Sequence, residues 1–250
     1  MIHIKMIHLA AQYLAAAGIS FLDKKQDDSH TNLGFDAKKG YLETWPLNEG
    51  GCKIVFDYTQ FSLHWITNNT ARMTLQLDGK THREIVKWMD EVTTALGRTK
   101  TYSYKLHYEL PYGKMTDSFV FTKPLQRELN QALEFRRIAH RALENVVEKM
   151  KFDTNIRIWP HHFDSGGYET IKNIGLGFGM AIPDTMVNDF YLYTSGYSGH
   201  DGIDTSNFDE ITFGEWKNDG FKGAVLPMQD VTEAKAITFF NESIRKYKAL

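Results

Sequence analysis

The hydrophobic positions along this chain follow two rhythms, one near 3.6 residues and one of about 2, which mark out helices and strands. Residues 9–22 are rich in alanine and leucine and predict a first helix, interrupted at Gly18. A polar connector follows over 23–29, and 41–47 predict a short extended piece stopped by Pro46. Residues 53–67 are dense in β-branched and aromatic side chains. They predict a strand pair or one long bent strand, with Asn68-Asn69 as the turn. Met73, Leu75 and Leu77 then alternate with Thr74 and Gln76, the period of a half-buried strand, which Asp78-Gly79 ends.

The clearest helix is predicted over 81–96. Thr81 and Glu84 have the capping-box spacing, in which each side chain satisfies the other's free backbone N–H. Ile85, Met89, Val92 and Leu96 share one face, and Gly97 is a natural stop. Residues 102–112 alternate Tyr102, Tyr104, Leu106, Tyr108 and Leu110, which predicts another strand. A second helix is predicted over 124–150, with Pro124 tolerated in its first turn. Its apolar stripe is Leu125, Leu129, Ala132, Phe135, Ala139, Leu143, Val146 and Met150. At about 1.5 Å rise per residue it would be on the order of 40 Å long.

The last hundred residues predict mainly strands, at 155–163 around Pro160, 175–182, 189–197 and 220–226, closed by a helix over 230–247. In 175–182 one face carries Leu176, Phe178, Met180 and Ile182. The other carries Gly175, Gly177 and Gly179, which invites close approach by an aromatic ring or a ligand. Ile237, Phe240, Ile244 and Tyr247 mark the buried face of the final helix. The order strand, turn, capped helix ends near residue 97 and again near 248, an echo of the kind an internal duplication leaves. No linker or low-complexity stretch separates these parts. The expectation is a single compact α+β domain over 1–250: a mostly antiparallel sheet covered by one long and several shorter helices, with a pseudo-duplicated core as a further reading.

Composition narrows the function classes. With 29 Lys and Arg against 31 Asp and Glu, the net charge of −2 gives no electrostatic reason to expect nucleic acid or an anionic membrane. The one cysteine, Cys52, cannot form an internal disulfide, which fits a reducing cytoplasmic setting. Nothing near Cys52 in sequence activates it as a nucleophile. The apolar stretch over 6–22 is interrupted by His8, Gln12 and Tyr13, so it predicts a packed helix rather than a membrane span or signal peptide.

The densest group of chemically useful side chains is Trp159-Pro160-His161-His162-Phe163-Asp164. On an extended chain neighbouring side chains point to opposite sides, so His162 would share a face with Asp164, and His161 with Trp159 and Phe163. A histidine and a carboxylate on one face suit a metal ligand pair or an oriented acid and base. The bland alternative is a histidine hydrogen-bonded in the core. A second polar group is Tyr197-Ser198-Gly199-His200-Asp201-Gly202. Gly196-x-Ser198 resembles a nucleophile elbow, but His200 replaces its second glycine and no apolar helix follows, which excludes a serine hydrolase there. His200 stands as a metal or substrate contact, with a solvated loop as its bland reading, and His30, near Asn32, is a third polar candidate. His140, among Arg136, Arg137, Arg141 and Glu144, predicts a solvated helix face. His64 and His107 predict structural strand residues. There is no dinucleotide fingerprint, phosphate-binding loop, HExxH, paired-cysteine site or calcium loop.

The stretch Ile156-Arg157-Ile158-Trp159-Pro160-His161-His162-Phe163-Asp164 resembles the hallmark of an uncharacterised, mainly bacterial protein family. Gly223-Ala224-Val225-Leu226-Pro227 before a final helix, the run from Ile54 to Tyr58, and His30-Thr31-Asn32-Leu33 are similar to it as well. The likeness covers the chain from about His30 onward. It departs over 196–209, which is glycine- and aspartate-rich here and often proline-rich in the family. The resemblance implies a shared fold and carries no reaction.

Two functional classes follow. The first is a small-molecule enzyme, with His162 and Asp164 as catalytic groups, and Trp159, His161, His200 and His30 as substrate contacts. In its metal-dependent form His162, Asp164 and His200 hold a divalent ion. The second is a non-catalytic module that binds a small ligand, for instance on the bare glycine face, or a partner protein.

Overall fold

The computed structural model describes residues 2–95 and 100–250, so Leu96 and Gly97, expected to finish and stop a helix, lie outside the described residues. The fold is α+β, with helices and two antiparallel sheets. Backbone contacts divide the chain into two compact units, residues 1–133 with 158–163, and residues 134–157 with 164–250.

The first unit is built on helix α1 (Ile2–Phe21). Its middle is apolar nearly all round, and Leu9, Ala10, Ala11, Tyr13, Leu14, Ala15, Ala16 and Ala17 are wholly buried. A helix without a polar face is held by burial on every side. This helix has the length and hydropathy of a membrane span, yet 83% of that window is buried within the structure. It also runs through Gly18, where an interruption was expected. A Cβ there would stand 2.6 Å from the carbonyl oxygen of His30, so glycine at this position serves close approach rather than helix breaking.

Beside α1 lies a five-stranded meander of β1 (Gly34–Asp36), β2 (Tyr41–Glu43), β3 (Lys53–Asp57), β4 (Ser62–Thr67) and β5 (Thr70–Gln76), paired in that order. The expected turn at Asn68-Asn69 is present, with φ of 52° and 58°. Positive φ at both positions is what a tight hairpin needs and what asparagine tolerates. β5 is an edge strand and nearly all exposed, with Met73 39% accessible, so the half-buried strand expected there is corrected. Only one side of it is paired, and of its apolar side chains Met73 is exposed and Leu75 half-buried.

Helix α2 (His82–Ala95) begins with the predicted capping box: Glu84 N–H donates to Thr81 Oγ1 at 3.2 Å, and Thr81 N–H to Glu84 Oε2 at 2.8 Å. Ile85, Met89 and Val92 form its buried face. The strand expected over 102–112 is absent. Burial does alternate there, Tyr102, Tyr104, Leu106, Tyr108 and Leu110 being more covered than their neighbours, but no ladder forms. The segment is a strap whose tyrosines reach α1. Tyr102 donates to the Tyr13 carbonyl at 3.2 Å, Tyr108 to Gln12 Oε1 at 2.7 Å, and Ser103 N–H to Ser20 Oγ at 3.0 Å. Strand β6 (Arg157–Trp159) returns to this unit, where Ile158 exchanges backbone hydrogen bonds with Leu33 at 2.8 and 2.9 Å.

Helix α3 (Gln126–Met150) passes from the first unit into the second and buries Leu129, Ala132, Ala139, Leu143 and Val146, while Leu125 is 57% exposed. The second unit contains β7 (Asp164–Ile171), β8 (Ile174–Ala181), β9 (Tyr191–Ser198), β10 (Asp201–Gly202), β11 (Glu215–Lys217) and β12 (Gly223–Pro227). Its strand order is β11-β12-β9-β8-β7, with β10 paired to β9. Leu176, Phe178 and Met180 of β8 are fully buried. The opposite face is occupied by tyrosine rings. A Cβ at Gly175 would collide with the Tyr168 hydroxyl, and one at Gly179 would fall 2.8 Å from the Tyr193 hydroxyl. The bare glycine face is therefore filled by the protein's own side chains. Helix α4 (Glu233–Lys248), capped by Thr232, packs Phe239, Phe240, Ile244 and Tyr247 inward.

Candidate functional site

The Trp159–Phe163 segment departs from its predicted shape, and the departure makes a site. The strand ends at Trp159, and residues 160–163 form a turn closed by Phe163 N–H on the Trp159 carbonyl at 2.7 Å. Phe163 takes φ +61°, a left-handed conformation uncommon for an aromatic residue. Alternation therefore fails here, and the expected facing of His161 and His162 to opposite sides is corrected. Their rings lie together, with centroids 4.2 Å apart. His162 is exposed and His161 half-buried. Trp159 flanks His161 edge-on at 6.4 Å, and Tyr108 of the strap lies 5.7 Å from the same ring.

Two polar side chains of α1 hold this turn from beneath. His8 Nε2 and Gln12 Nε2 reach the Pro160 carbonyl at 2.7 and 2.9 Å. A carbonyl oxygen can only accept, so the His8 proton resides on Nε2, and Nδ1 accepts from the Tyr112 hydroxyl at 3.1 Å. Phe163 stacks on the His8 ring at 4.9 Å with a 9° interplanar angle. The turn's backbone is thus fixed by buried hydrogen bonds and its aromatic end by stacking, while the imidazole pair is left at the surface. In the sequence these two polar residues of α1 stand only as interruptions of an apolar run. Their signal was polarity at i and i+4, which places both on one helix face.

His30 belongs to the same unit. It is 5% exposed, its Nδ1 accepts weakly from Lys25 N–H at 3.4 Å, and burial lowers its pKa. Its ring stacks 6.4 Å from His107, which pairs with Asp28 at 3.3 Å and contacts Tyr108 at 5.0 Å. The adjacent strap residues His107 and Tyr108 thus lie between the His30 ring and the His161 ring. His107, expected to be a structural strand residue, sits on the strap beside a carboxylate.

Asp164 and His200 lie in the second unit. Asp164 opens β7 and accepts from the Tyr193 hydroxyl at 2.7 Å, while its other oxygen is buried without a hydrogen-bond partner. Burial and this neighbouring carboxylate push the Tyr193 hydroxyl pKa well up. His200 is exposed in the tight turn between β9 and β10, beside Gly199 at φ +64°. Among the described residues, no group of three or more His, Cys, Asp or Glu side chains stands where it could hold a metal ion.

Two further groups behave unlike their sequence reading. Arg136 is 1% exposed and donates to Ser165 Oγ, and His140, 7% exposed, lies 3.2 Å from Glu144. The solvated face expected around His140 is therefore partly interior. Ser62, His64 and Asp57 come together, but Ser62 and Asp57 approach the same nitrogen of His64, at 2.9 and 3.7 Å. A relay needs base and orienter on different ring nitrogens, and Ser62 is fully buried. That cluster is structural.

No known protein family, curated protein or solved structure matches this chain.

Proposed function

We propose that the chain binds and acts on a small molecule at the turn of residues 160–163, with His161 and His162 as the reacting or ligating groups and Trp159 and Tyr108 as flanking rings. The observation that carries this reading is the imidazole pair, 4.2 Å between ring centroids, on a backbone held by His8 and Gln12. Imidazole gives and takes protons near neutral pH, so two in contact can serve as acid and base toward one substrate. Tryptophan and tyrosine rings beside them offer apolar, planar surface. A divalent ion, where one is used, would take both histidines as nitrogen ligands and leave its other positions to water or substrate. The exposed His107 lies next to Tyr108 on the strap, with the buried His30 ring stacked behind it. The free, buried Cys52 supports a reducing, cytoplasmic setting. The WPHHFD stretch also resembles the hallmark of an uncharacterised, mainly bacterial family, a likeness that assigns no reaction.

The test is a thermal-shift screen of a metabolite library in metal-free buffer, repeated with Zn²⁺, on wild type and His162→Ala. At least one compound, or the metal, should raise the wild-type melting temperature and fail to raise that of the mutant. The unliganded mutant should melt within a few degrees of wild type, because His162 is exposed. A mutant that cannot fold, or hits that stabilise both proteins equally, would make the pair structural.

A further inference from the structure

A second place in the first unit has the marks of a binding site and shares none of these residues. An open cleft of about 470 Å³ is lined by His82, Arg83, Lys87 and Asp90 of α2, by Tyr102 and Tyr104 of the strap, and by Asp117. That volume suits a small metabolite.

Among the described residues, two buried polar atoms on its lining have no hydrogen-bond partner, Asp90 Oδ1 and the Tyr104 hydroxyl. Buried polar groups are nearly always paired, so two orphans on one cleft ask for a ligand. His82 supplies a third polar group. The Tyr13 hydroxyl lies 2.8 Å from His82 Nδ1. Burial keeps Tyr13 protonated, and its proton is satisfied by donating to Nδ1, which places the imidazole proton on Nε2. The His82 ring meets Tyr104 edge-on at 4.6 Å, so donor and phenol are neighbours.

The cleft therefore offers a carboxylate acceptor at Asp90 and donors at Tyr104 and His82. Around these, two cations, Arg83 and Lys87, are balanced by two carboxylates, Asp90 and Asp117. A purely anionic or purely cationic ligand would meet like charge, whereas a molecule bearing both signs meets a complement to each. We infer that this cleft binds a small zwitterion of amino-acid size, its ammonium end at Asp90 and its carboxylate end at Tyr104 and His82.

The experiment is an NMR titration of the full chain with L-serine and with L-glutamate, and with glycerol as the uncharged control. The ring signals of His82 and Tyr104 should shift saturably with at least one amino acid and not with glycerol. Asp90→Asn and Tyr104→Phe should each weaken that binding about tenfold, the factor that one lost buried hydrogen bond carries. Tyr104→Phe removes a hydroxyl that has no partner among the described residues, so its melting temperature should be unchanged or raised, which separates lost binding from lost folding. Absence of a saturable shift with both amino acids overturns the inference. So do equal saturation by glycerol and undiminished binding by Tyr104→Phe.

Discussion

Single side chains in this protein make statements about pH. Burial holds the His82 pKa below the ordinary imidazole value near 6.5, and the Tyr13 hydroxyl donates to its unprotonated nitrogen. As pH falls through about 6.5, the unfolded chain takes up a proton there that the folded chain still refuses. The unfolded state then binds more protons, so stability declines with falling pH below that point and is fully present above it. His30 is shifted the same way and adds to the same trend. The urea midpoint should therefore be lower at about pH 5.5 than at about pH 7.5, and His82→Gln should show a smaller decline than wild type. A wild-type midpoint that is flat or rises toward acid would contradict the assignment. The imidazole pair belongs to this scale too. Both histidines were legible as candidates from their neighbours in sequence. Their shared side was not, because residues 160–163 fold into a closed turn, and alternation holds only while the backbone stays extended.

Elements show the same division between local and distant causes. α2 was legible through its cap because a capping box is satisfied by residues three apart, whatever surrounds it. Thr81 Oγ1 both accepts from Glu84 N–H at 3.2 Å and donates to its carboxylate at 2.7 Å. Thr81→Ala should therefore cost about 1 kcal/mol in urea denaturation, and no loss would mean that the cap is redundant with tertiary packing. The strap over 102–112 is the counterexample. Its sequence has a period of 2, yet a period reports which side chains are covered and not what the backbone bonds to. With tyrosine hydroxyls reaching α1, the segment alternates in burial without any neighbouring strand. β5 is the reverse case, a strand laddered to β4 with a register shift at Trp65/Ile66 and alternating in sequence, but exposed at nearly every position.

At the scale of the whole molecule, the α+β class follows from the mixture of rhythms, and two separate antiparallel sheets realise it. Position within a sheet sets local stability. β8 is paired on both sides over its length, whereas β5 pairs only with β4 and faces solvent. In hydrogen exchange the amides of β8 should outlast those of β5 by at least about tenfold, and equal protection would show that edge and centre open together. The division into two units falls inside α3 and inside the WPHHFD stretch, where composition does not change, so it left no mark in sequence. What the sequence alone determined was whatever depends on residues a few positions apart: the helices, the Asn68-Asn69 turn, the cap on α2, and the chemical character of the Trp159–Asp164 segment. Tertiary structure alone decided which polar groups meet. Only folding sets His8 and Gln12 beneath Pro160, fills the glycine face with Tyr168 and Tyr193, and leaves Asp90 Oδ1 and the Tyr104 hydroxyl on one cleft without a partner among the described residues. These contacts join residues far apart in the chain, and no periodicity within a segment encodes its distant partner.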